Sequence, residues 1–272
     1  MNDSLNNNNG HPTIVVKYGG AAMQTESLSA EVMADAVELT NAGIRLVIVH
    51  GGGPDLSALQ KRLGMETRFV DGLRYTDEDT VEAALMSLAG KINKGLVRQI
   101  QTGGGKAVGI SGIDGGILIC EKKKDPDLGF VGEVVRVAPA LIETMLDSGF
   151  LPVVSTLGIG EDGQLYNVNA DTAAGKIAAA LGADKFVLLS DIPGVLREKD
   201  DDSTVIPVIE TGDIEGLIIS GVVAGGMIPK IRSAADVVAC GVKEVLIADG
   251  RGHHSLMSAV SAAVDSGTII RK

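Results

Sequence analysis

The sequence is poor in the features that mark secreted, metal-binding and membrane proteins. Its 272 residues include only two cysteines, Cys120 and Cys240. They are too few for a disulfide framework and lack the spacing of a zinc site, so we expect small buried side chains. No apolar run reaches the roughly 18 residues that a membrane-spanning helix needs. Residues 1–12 are polar and asparagine-rich rather than signal-like. A cytoplasmic protein that does not contact membranes is expected.

Positive charge is also scarce. The formal net charge is -11, and the lysines and arginines are scattered along the chain. This balance argues against a nucleic-acid surface and favours a small, anionic partner. With 45% hydrophobic residues, the chain can bury a large core. We predict a disordered tail over residues 1–12, an N-terminal lobe over 13–180 and a C-terminal lobe over 181–272.

Short aliphatic runs alternate with longer amphipathic stretches, which is typical of an α/β fold with a mostly parallel sheet between helices. The predicted helices include 29–41 and 227–240, which are followed by Gly43 and Gly241. Residues 117–137 differ, because two strand-like runs flank Lys122-Lys123-Lys124-Asp125-Pro126-Asp127 and predict a projecting β-hairpin. We interpret its lysine run as a solvated turn. The predicted strands are 13–17, 45–50, 107–110, 152–155, 185–190 and 244–248.

Two predicted strands end in glycine-rich loops. The first is followed by Gly19-Gly20, and the second by Gly51-Gly52-Gly53 and then a helix. Ligands of open α/β sheets bind beyond the carboxyl ends of the strands, and consecutive glycines let backbone N–H groups approach an anion. Both loops could instead be tight turns. The chain has no P-loop motif, and Gly158-Ile-Gly160-Glu-Asp-Gly163 precedes a strand-like run, which favours a hairpin turn over a dinucleotide site.

Two lysines stand where an ammonium group needs an anion. Lys230 lies in the first turn of the helix that follows Gly225-Gly226, where the helix dipole disfavours a cation by roughly 0.3–1 kcal/mol. A bound anion would remove this conflict, although the side chain could also bend into water. Lys17 ends an apolar strand directly before its glycine pair, where it could alternatively be solvated at the sheet edge.

Further polar residues complete the set. Asn167, Asn169 and Asp171 share one face of an extended stretch that enters a helix, and Asp171 is either that helix's N-cap or an anchor for ammonium groups. Arg74 suits a carboxylate clamp or a surface ion pair. Asp191 ends a strand where a nucleotide could rest. We predict no metal site, because the adjacent His253 and His254 do not readily face one ion.

Together these motifs resemble the amino-acid kinase family, over nearly all of residues 13–272, and within it the branch that phosphorylates N-acetyl-L-glutamate for arginine biosynthesis. The matching motifs are Lys-Tyr-Gly-Gly at 17–20, His-Gly-Gly-Gly-Pro at 50–54, Gly-Leu-Arg at 72–74, Asn-Val-Asn-Ala-Asp at 167–171, Ser-Asp-Ile-Pro-Gly-Val at 190–195 and Gly-Gly-Met-Ile-Pro-Lys at 225–230. The resemblance implies an open, mainly parallel eight-stranded sheet sandwiched by helices, ATP with Mg²⁺ as donor, and a homodimer formed through the N-terminal lobe.

The resemblance also implies a role for each site residue. Lys17 and Lys230 stabilise the transferring phosphoryl group, and Asp171 holds both. The implied N-acetylglutamate-binding residues are Gly52, Gly53, Arg74, Asn167 and Asn169. The implied nucleotide-binding residues are Gly19, Gly20, Asp191, Gly194, Val195, Leu196, Val222, Val223 and Ala224.

One departure from the resemblance concerns regulation. Members inhibited by arginine carry an N-terminal helix and a C-terminal glutamate; here that position is Ala259, and the segment before Thr13 is short and asparagine-rich. We therefore expect no arginine feedback, and a dimer rather than a hexamer. Two alternatives stay open. The chain could act on a related carboxylate or carbamate, or be a noncatalytic sensor of the same fold, although retention of both lysines favours an enzyme.

Overall fold

The central element is an eight-stranded sheet, seen in a computed structural model that describes residues 10–23, 25–70, 72–198, 201–261 and 267–272. The strands of the chain are β1 (Thr13–Tyr18), β2 (Arg45–His50), β3 (Phe69–Val70), β4 (Leu73–Arg74), β5 (Ala107–Ser111), β6 (Leu118–Lys122), β7 (Gly132–Val137), β8 (Leu151–Ser155), β9 (Leu157–Ile159), β10 (Leu165–Asn167), β11 (Lys185–Ser190), β12 (Val208–Glu210), β13 (Glu244–Asp249) and β14 (Thr268–Arg271).

Helices connect the strands. They are α1 (Glu26–Asn41), α2 (Gly53–Arg62), α3 (Glu78–Ala84), α4 (Asn93–Thr102), α5 (Ala140–Asp147), α6 (Ala170–Ala180), α7 (Ile214–Ile219), α8 (Met227–Ala239) and α9 (Ser255–Ser261). A π-helical stretch, Leu85–Ile92, joins α3 to α4. Short 3₁₀ turns lie at Gly20–Met23, Asp114–Gly116, Asp202–Thr204 and Thr211–Asp213.

The sheet order is β12-β14-β13-β11-β1-β2-β8-β5, and every neighbouring pair is parallel except β13 and β14. All of the predicted strands lie in this sheet, and each predicted end falls within one residue of the observed end. The mainly parallel α/β fold is therefore confirmed. The residue pattern missed β12 and β14, which are short and lie at one edge.

Strand residues alternate between two cores, one on each face of the sheet. In β1, Val15 packs with residues of α5, α6 and α8, whereas its neighbours Ile14 and Val16 pack with residues of α1, α4 and α9. Because successive side chains of a strand point to opposite faces, an apolar run such as Thr13–Tyr18 can supply both cores. Burial on both faces fixes the sheet, and with it the positions of the strand ends.

The projecting hairpin is confirmed but is part of a larger unit. Strands β6 and β7 pair antiparallel, and β9 and β10 form the hairpin expected around Gly163; together they make a four-stranded sheet in the order β10-β9-β6-β7. An isolated bridge between Val131 and Asn167 ties the start of β7 to the end of β10. A further two-stranded hairpin, β3 with β4, was not predicted.

The cysteines and the N-terminal tail were the subject of two further expectations. Both cysteines were expected to be buried; this is right for Cys120, but wrong for Cys240, which is exposed just past the end of α8. Residues 1–9 of the predicted tail lie outside the described residues. Within residues 10–12, the carbonyl oxygen of Pro12 accepts a hydrogen bond from the Arg45 amide at 3.0 Å.

Candidate active site

The predicted site residues gather where the parallel strands end. Strands β1, β2 and β8 end side by side, since Tyr18 is paired with His50 and His50 with Ser155. On the other side of β1, β11 ends at Ser190. The Gly51 amide donates to the Tyr18 carbonyl at 3.0 Å, which fixes the two glycine loops against each other. The carboxyl edge of the sheet thus carries both loops, as expected for this class of fold.

Lys17 and Asp171 form an ion pair at this edge. Lys17 Nζ, at the end of β1, lies 2.9 Å from Oδ1 of Asp171, in the first turn of α6. The side chains are 15% and 32% exposed respectively. Apart from this ion pair, Oδ1 of Asp171 has no hydrogen-bond donor among the described residues. The prediction that Asp171 anchors Lys17 agrees with this geometry.

Asp171 is not the N-cap of α6, which was one of the two interpretations of its position. That role belongs to Asn169, whose Oδ1 accepts a hydrogen bond from the Thr172 amide at 3.1 Å. Both residues precede or begin the helix, and either carries an oxygen of the right type, so spacing alone could not choose between them. With Asn169 as the cap, the carboxylate of Asp171 is available to Lys17.

Lys230 reaches the site from the opposite half of the sheet. It lies in the first turn of α8, and its Nζ donates to Ser190 Oγ at 2.7 Å. Burial lowers the pKa of Lys230; nearby Asp171 opposes this shift and Lys17 reinforces it. The lysine therefore does not bend away into solvent. Its ammonium is retained close to Asp171, beside a positive helix terminus, where an anion would stabilise it.

Two helices at the site begin with glycine instead of a capping side chain. Gly52 precedes α2 and Gly226 precedes α8, and neither helix has a side-chain hydrogen bond to its first turn. By contrast, Thr25, Asp77 and Asn169 cap α1, α3 and α6. In α8 the first amides are used by the preceding turn, since Met227 donates to the Ala224 carbonyl and Ile228 to the Gly225 carbonyl, each at 3.2 Å. At the start of α2, no side chain competes with an anion for the N–H groups of Gly52 and Gly53.

Gly52 has a steric reason to be glycine. Its φ is +153°, and a Cβ there would lie 2.2 Å from Ile92 Cδ1 and 2.8 Å from Leu88 Cδ2. A side chain at this position would therefore displace the packed π-helical stretch, whereas a Cβ on Gly53 would meet nothing closer than 3.9 Å. The loop can approach a ligand only because Gly52 lets it lie against these side chains.

Arg74 is held in place by its neighbours. Its guanidinium donates to the Gly53 carbonyl at 2.9 Å, to Ser57 Oγ at 2.8 Å and to Gln60 Oε1. The group also lies over the Phe69 ring, with Cζ 4.9 Å from the centroid. Burial lowers its pKa from the ordinary arginine value, but the side chain stays cationic. This contradicts the alternative that Arg74 is a surface ion pair, since its partners are uncharged.

Two adjoining cavities collect these groups. The arginine cavity, of about 220 Å³, is lined by Arg74, Gly52, Gly53, Asn167 and Asn169, among others. The lysine cavity, of about 480 Å³, is lined by Lys230, Asp171, Asn169, Thr172, Gly226 and others. Leu73, Val131 and Asn169 line both. A carboxylate in the arginine cavity and an anion in the lysine cavity would therefore meet near Asn169, two residues before Asp171.

The predicted nucleotide residues are more scattered. Val195 and Val223 are each only 1% exposed, so their side chains belong to the core and support their loops. Gly194, with φ at +150°, lies against Thr268, whose Oγ1 accepts from the Val195 amide at 2.8 Å. Leu196 and Val222 are partly buried, Gly19 is buried, and Gly20, Asp191 and Ala224 are exposed. None of these residues lines the lysine cavity.

Buried His50 supports the triglycine loop. The pKa of His50 is lowered to about 4, first because of burial. Its Nδ1 lies 2.8 Å from the Gly51 carbonyl oxygen, and its Nε2 lies 3.2 Å from Nδ2 of Asn93. This arrangement fits a neutral ring with the proton on Nδ1. The histidine therefore has a structural role, since its two ring nitrogens link the triglycine loop to Asn93.

Several site residues were missed by sequence reasoning. Ser190 holds Lys230, Gln60 and Ser57 hold Arg74, and Thr76 Oγ1 accepts from Nδ2 of Asn167 at 3.2 Å. Ser190 carried a usable signal, because it is the polar last residue of a buried strand. The others lie on separate elements, and only the fold brings them to the site.

The comparison with known proteins decides the family. The model of the amino acid kinase family matches residues 12–249. The chain belongs to the amino acid kinase family. The acetylglutamate kinase of Clostridioides difficile strain 630 is 48% identical over 260 residues, covering 96% of this chain and 91% of the relative. That of Actinobacillus pleuropneumoniae serotype 3 is 47% identical over 260 residues, covering 95% and 90%. The resemblance drawn from the motifs is confirmed.

Solved structures agree on the fold of this family member. N-acetylglutamate synthase from Neisseria gonorrhoeae, complexed with coenzyme A and N-acetyl-glutamate, aligns with a TM-score of 0.83 at 25% identity, covering 96% of this chain and 59% of that one. Carbamate kinase from Giardia lamblia bound to AMP-PNP aligns with a TM-score of 0.72 at 19% identity, covering 97% and 99%. The carbamate kinase comparison supports the fold alone.

The described residues contain neither a metal-binding cluster nor a membrane-spanning helix. In the described part of the chain, no cluster of at least three histidine, cysteine, aspartate or glutamate residues is arranged to hold a metal ion. None of the helices described is long and apolar enough to cross a membrane.

Proposed function

We propose that this chain is an acetylglutamate kinase, which transfers the γ-phosphoryl group of ATP to the γ-carboxylate of N-acetyl-L-glutamate in arginine biosynthesis. The observation that carries the proposal is the junction of the two cavities. An anion site built around Arg74 adjoins an anion site built around Lys230 at Asn169, and the second cavity is also lined by Asp171, the ion-pair partner of Lys17. The names of the relatives supply the identity of the acceptor, which the geometry alone would leave open.

The acceptor is assigned to the arginine cavity. Arg74 would bind a carboxylate of N-acetylglutamate, while Asn167 and Asn169 would bind its amide and carbonyl groups. The N–H groups at the start of α2, by Gly52 and Gly53, would face the γ-carboxylate. Because Arg74 is already held by Gly53, Ser57 and Gln60, little side-chain entropy remains to be lost when the acceptor binds.

The donor is assigned to the lysine cavity. Its residues fit a polyphosphate, since Lys230 lines it and Gly226 places the positive end of the α8 dipole there. The loops that contain Asp191, Gly194, Val195 and Leu196, and Val222, Val223 and Ala224, would contact the rest of the nucleotide, chiefly through backbone groups. Mg²⁺ would enter with ATP on its phosphate oxygens, where it neutralises charge when bound.

The reaction needs charge neutralisation more than proton transfer. An oxygen of the ionised γ-carboxylate attacks the γ-phosphorus, and the bond from phosphorus to the β,γ-bridging oxygen breaks, with the electron pair leaving on ADP. The acceptor is already a carboxylate at neutral pH, so no base is required. Lys17 and Lys230 would offset the charge on the equatorial oxygens, and Asp171 would hold both ammonium groups between the two substrates.

The assembly and location follow the same proposal. We assign the acceptor to the lobe of residues 13–180 and the nucleotide to that of 181–272, and we propose a homodimer through the first lobe in the cytoplasm. The mass in solution, measured by light scattering, tests the dimer; a monomer or a hexamer would contradict it.

The activity is tested by ATP-dependent formation of an acyl hydroxamate in the presence of hydroxylamine. We expect a signal with N-acetyl-L-glutamate, and a much smaller kcat/KM with glutamate, aspartate or aminoadipate. If another of these acids is the preferred substrate, the chain has the activity of a different member of the family. Absence of a signal with every carboxylate would contradict acyl-phosphate chemistry.

A further inference from the structure

The lysine run of the projecting hairpin is not uniform. Lys122 pairs with Asp127, with Nζ 3.0 Å from Oδ1, and Lys124 is exposed. Lys123, by contrast, is partly buried and lines the lysine cavity together with Lys230 and Asp171. The expectation that the run is a solvated turn is therefore wrong for Lys123. We propose that Lys123 is a nucleotide-binding residue, whose ammonium contacts the phosphates of the donor; this inference rests on the function proposed above.

The backbone places Lys123 beside the cavity. Its amide donates to the Val131 carbonyl at 2.9 Å, and Val131 lines both cavities. Val131 is also bridged to Asn167, whose amide donates to the Phe130 carbonyl at 2.9 Å. The strand opposite Lys123 is therefore hydrogen-bonded to a residue of the proposed acceptor site.

Packing restricts the hairpin further. A Cβ on Gly132 would lie 2.6 Å from Cβ of Tyr166 and 3.1 Å from Cβ of Cys120, so β7 lies directly against β10 and β6. Because this contact leaves no room for a side chain, the hairpin cannot slide along β10 without losing it. The backbone at Lys123 is therefore fixed, and its flexible side chain can adjust to a ligand.

Among the residues that the structure describes, the lysine cavity supplies no carboxylate that forms an ion pair with Lys123. Two carboxylates line the cavity, Asp171 and Glu133, and Asp171 is engaged by Lys17. Within the described residues, no ion pair joins Lys123 to a carboxylate. Lys230 reaches the same cavity from α8, so two ammonium groups from different elements face one space. A polyphosphate would bind between them, with the phosphates that remain in ADP nearest Lys123 and the transferring phosphoryl group nearest Lys230.

The test uses the neighbouring lysine as a matched control. Lys123→Gln and Lys124→Gln remove the same charge one residue apart, and Lys123→Arg restores a cation. MgADP is titrated calorimetrically into each protein without any acceptor. We expect Lys123→Gln to weaken the Kd about tenfold, the scale of one hydrogen bond to a charged group, and Lys124→Gln to stay within twofold of wild type. Lys123→Arg should recover most of the loss.

Steady-state kinetics supply a second readout. In Lys123→Gln the KM for ATP should rise about tenfold, while the KM for N-acetylglutamate stays within twofold. An MgADP Kd unchanged in Lys123→Gln would overturn the inference. An equal loss of MgADP affinity in Lys124→Gln would also overturn it, because it would indicate a long-range electrostatic effect and not a direct contact. Melting temperatures close to that of wild type exclude a folding defect. If wild type makes no hydroxamate yet its binding of MgADP depends on Lys123, the acceptor assignment fails and this inference stands.

Discussion

The arginine cavity and the nucleotide loops hold their functional groups in different ways. In the arginine cavity, side chains fix other side chains: Gln60 and Ser57 hold Arg74, and Thr76 holds Asn167. Among the residues assigned to the nucleotide in the two loops, Val195 and Val223 are buried in the core, and Asp191 and Ala224 are exposed. On the proposed function, the acceptor would therefore be recognised by side-chain chemistry, whereas the part of the nucleotide beyond its phosphates would be recognised by backbone shape. Substitutions should affect the two regions differently.

The largest effect is expected at Lys17 and Lys230, the two lysines proposed to stabilise the transferring phosphoryl group. Lys17→Ala and Lys230→Ala should each lower kcat by roughly 100-fold or more, the scale of removing one preorganised charge partner. The measurement is the steady-state rate of hydroxamate formation with both substrates saturating.

Lys185 provides a matched control for Lys17. It too is a mostly buried lysine of the central sheet, with its Nζ 2.8 Å from Oε1 of Glu244 and its side chain 12% exposed. It begins β11, at the end of the sheet opposite to the site. Lys185→Ala should change stability and leave kcat near that of wild type. If all three variants lose activity equally, the lysine effects are structural and the assigned roles are wrong.

A smaller effect, confined to the acceptor, is expected for Arg74→Ala. The KM for N-acetylglutamate should rise about 30-fold, within the range for losing charge-assisted hydrogen bonds to a carboxylate. Both kcat and the KM for ATP should change by less than about threefold, because on the proposed function the guanidinium would bind the acceptor equally before and during transfer. A comparable rise in both KM values would remove the distinction between the two regions.

Gly52→Ala should disturb the arginine cavity through packing. The new Cβ would have to displace Ile92 and Leu88, and this overpacking costs about 1.5 kcal/mol of unfolding free energy. The φ of +153° adds backbone strain to that cost. Urea denaturation measures this loss. Gly53→Ala has open space for its Cβ and should lose much less stability. Equal losses at the two positions would show that backbone flexibility, and not the contact with the π-helical stretch, decides the cost.

The smallest expected effect is on the pH dependence of stability, to which His50 and His254, one in each half of the chain, should contribute with opposite signs. The folded pKa of His50, about 4, lies below the usual unfolded value near 6.5. The unfolded state therefore binds more protons as the pH falls, and His50 should cost about 1 kcal/mol of stability between pH 7.5 and 5.5. His50→Gln should remove this part of the pH dependence.

His254 should behave in the reverse way. Its hydrogen bond to Asp35 raises its pKa, so its contribution is fully present below the unfolded pKa and is lost as the pH rises through the folded value. His254→Gln should therefore reduce stability at pH 5.5 more than at pH 8. Denaturation curves of both variants at several pH values compare the two signs directly. Matching signs would contradict the assigned environments.

The same contrast explains what could be predicted from the sequence. Strand positions followed from apolar runs buried on both faces, and Lys17, Arg74, Asn167 and Asp171 were identifiable because their chemistry is unusual at strand ends and turns. Apart from Asp191, which ends a strand, the nucleotide loops offered only glycines and aliphatic residues, so the rest of their assignment depended on the family resemblance. Local patterns also could not choose between Asn169 and Asp171 as the helix cap.

Strand pairing between segments that are distant in the sequence was the other feature that could not be predicted. The hairpin around residues 117–137 was predicted, but its parallel contact with β9, Ile119 opposite Ile159, joins distant segments and has no local signal. That contact and the Val131–Asn167 bridge bring Lys123 to the lysine cavity. A lysine in a run of three charges therefore looked solvated until the fold placed its neighbours.

The central claim is that Lys17 and Lys230 stabilise the phosphoryl group during transfer more than they bind either substrate. It is tested most directly with MgADP, N-acetylglutamate and fluoroaluminate, which together mimic the transferring phosphoryl group. We measure the affinity of this complex, and of MgADP alone, for wild type, Lys17→Ala, Lys230→Ala and Lys185→Ala. The account predicts a loss of about 100-fold in the fluoroaluminate complex for the two site variants, with MgADP affinity within about threefold of wild type. Equal losses in both measurements, or none in either, would contradict it.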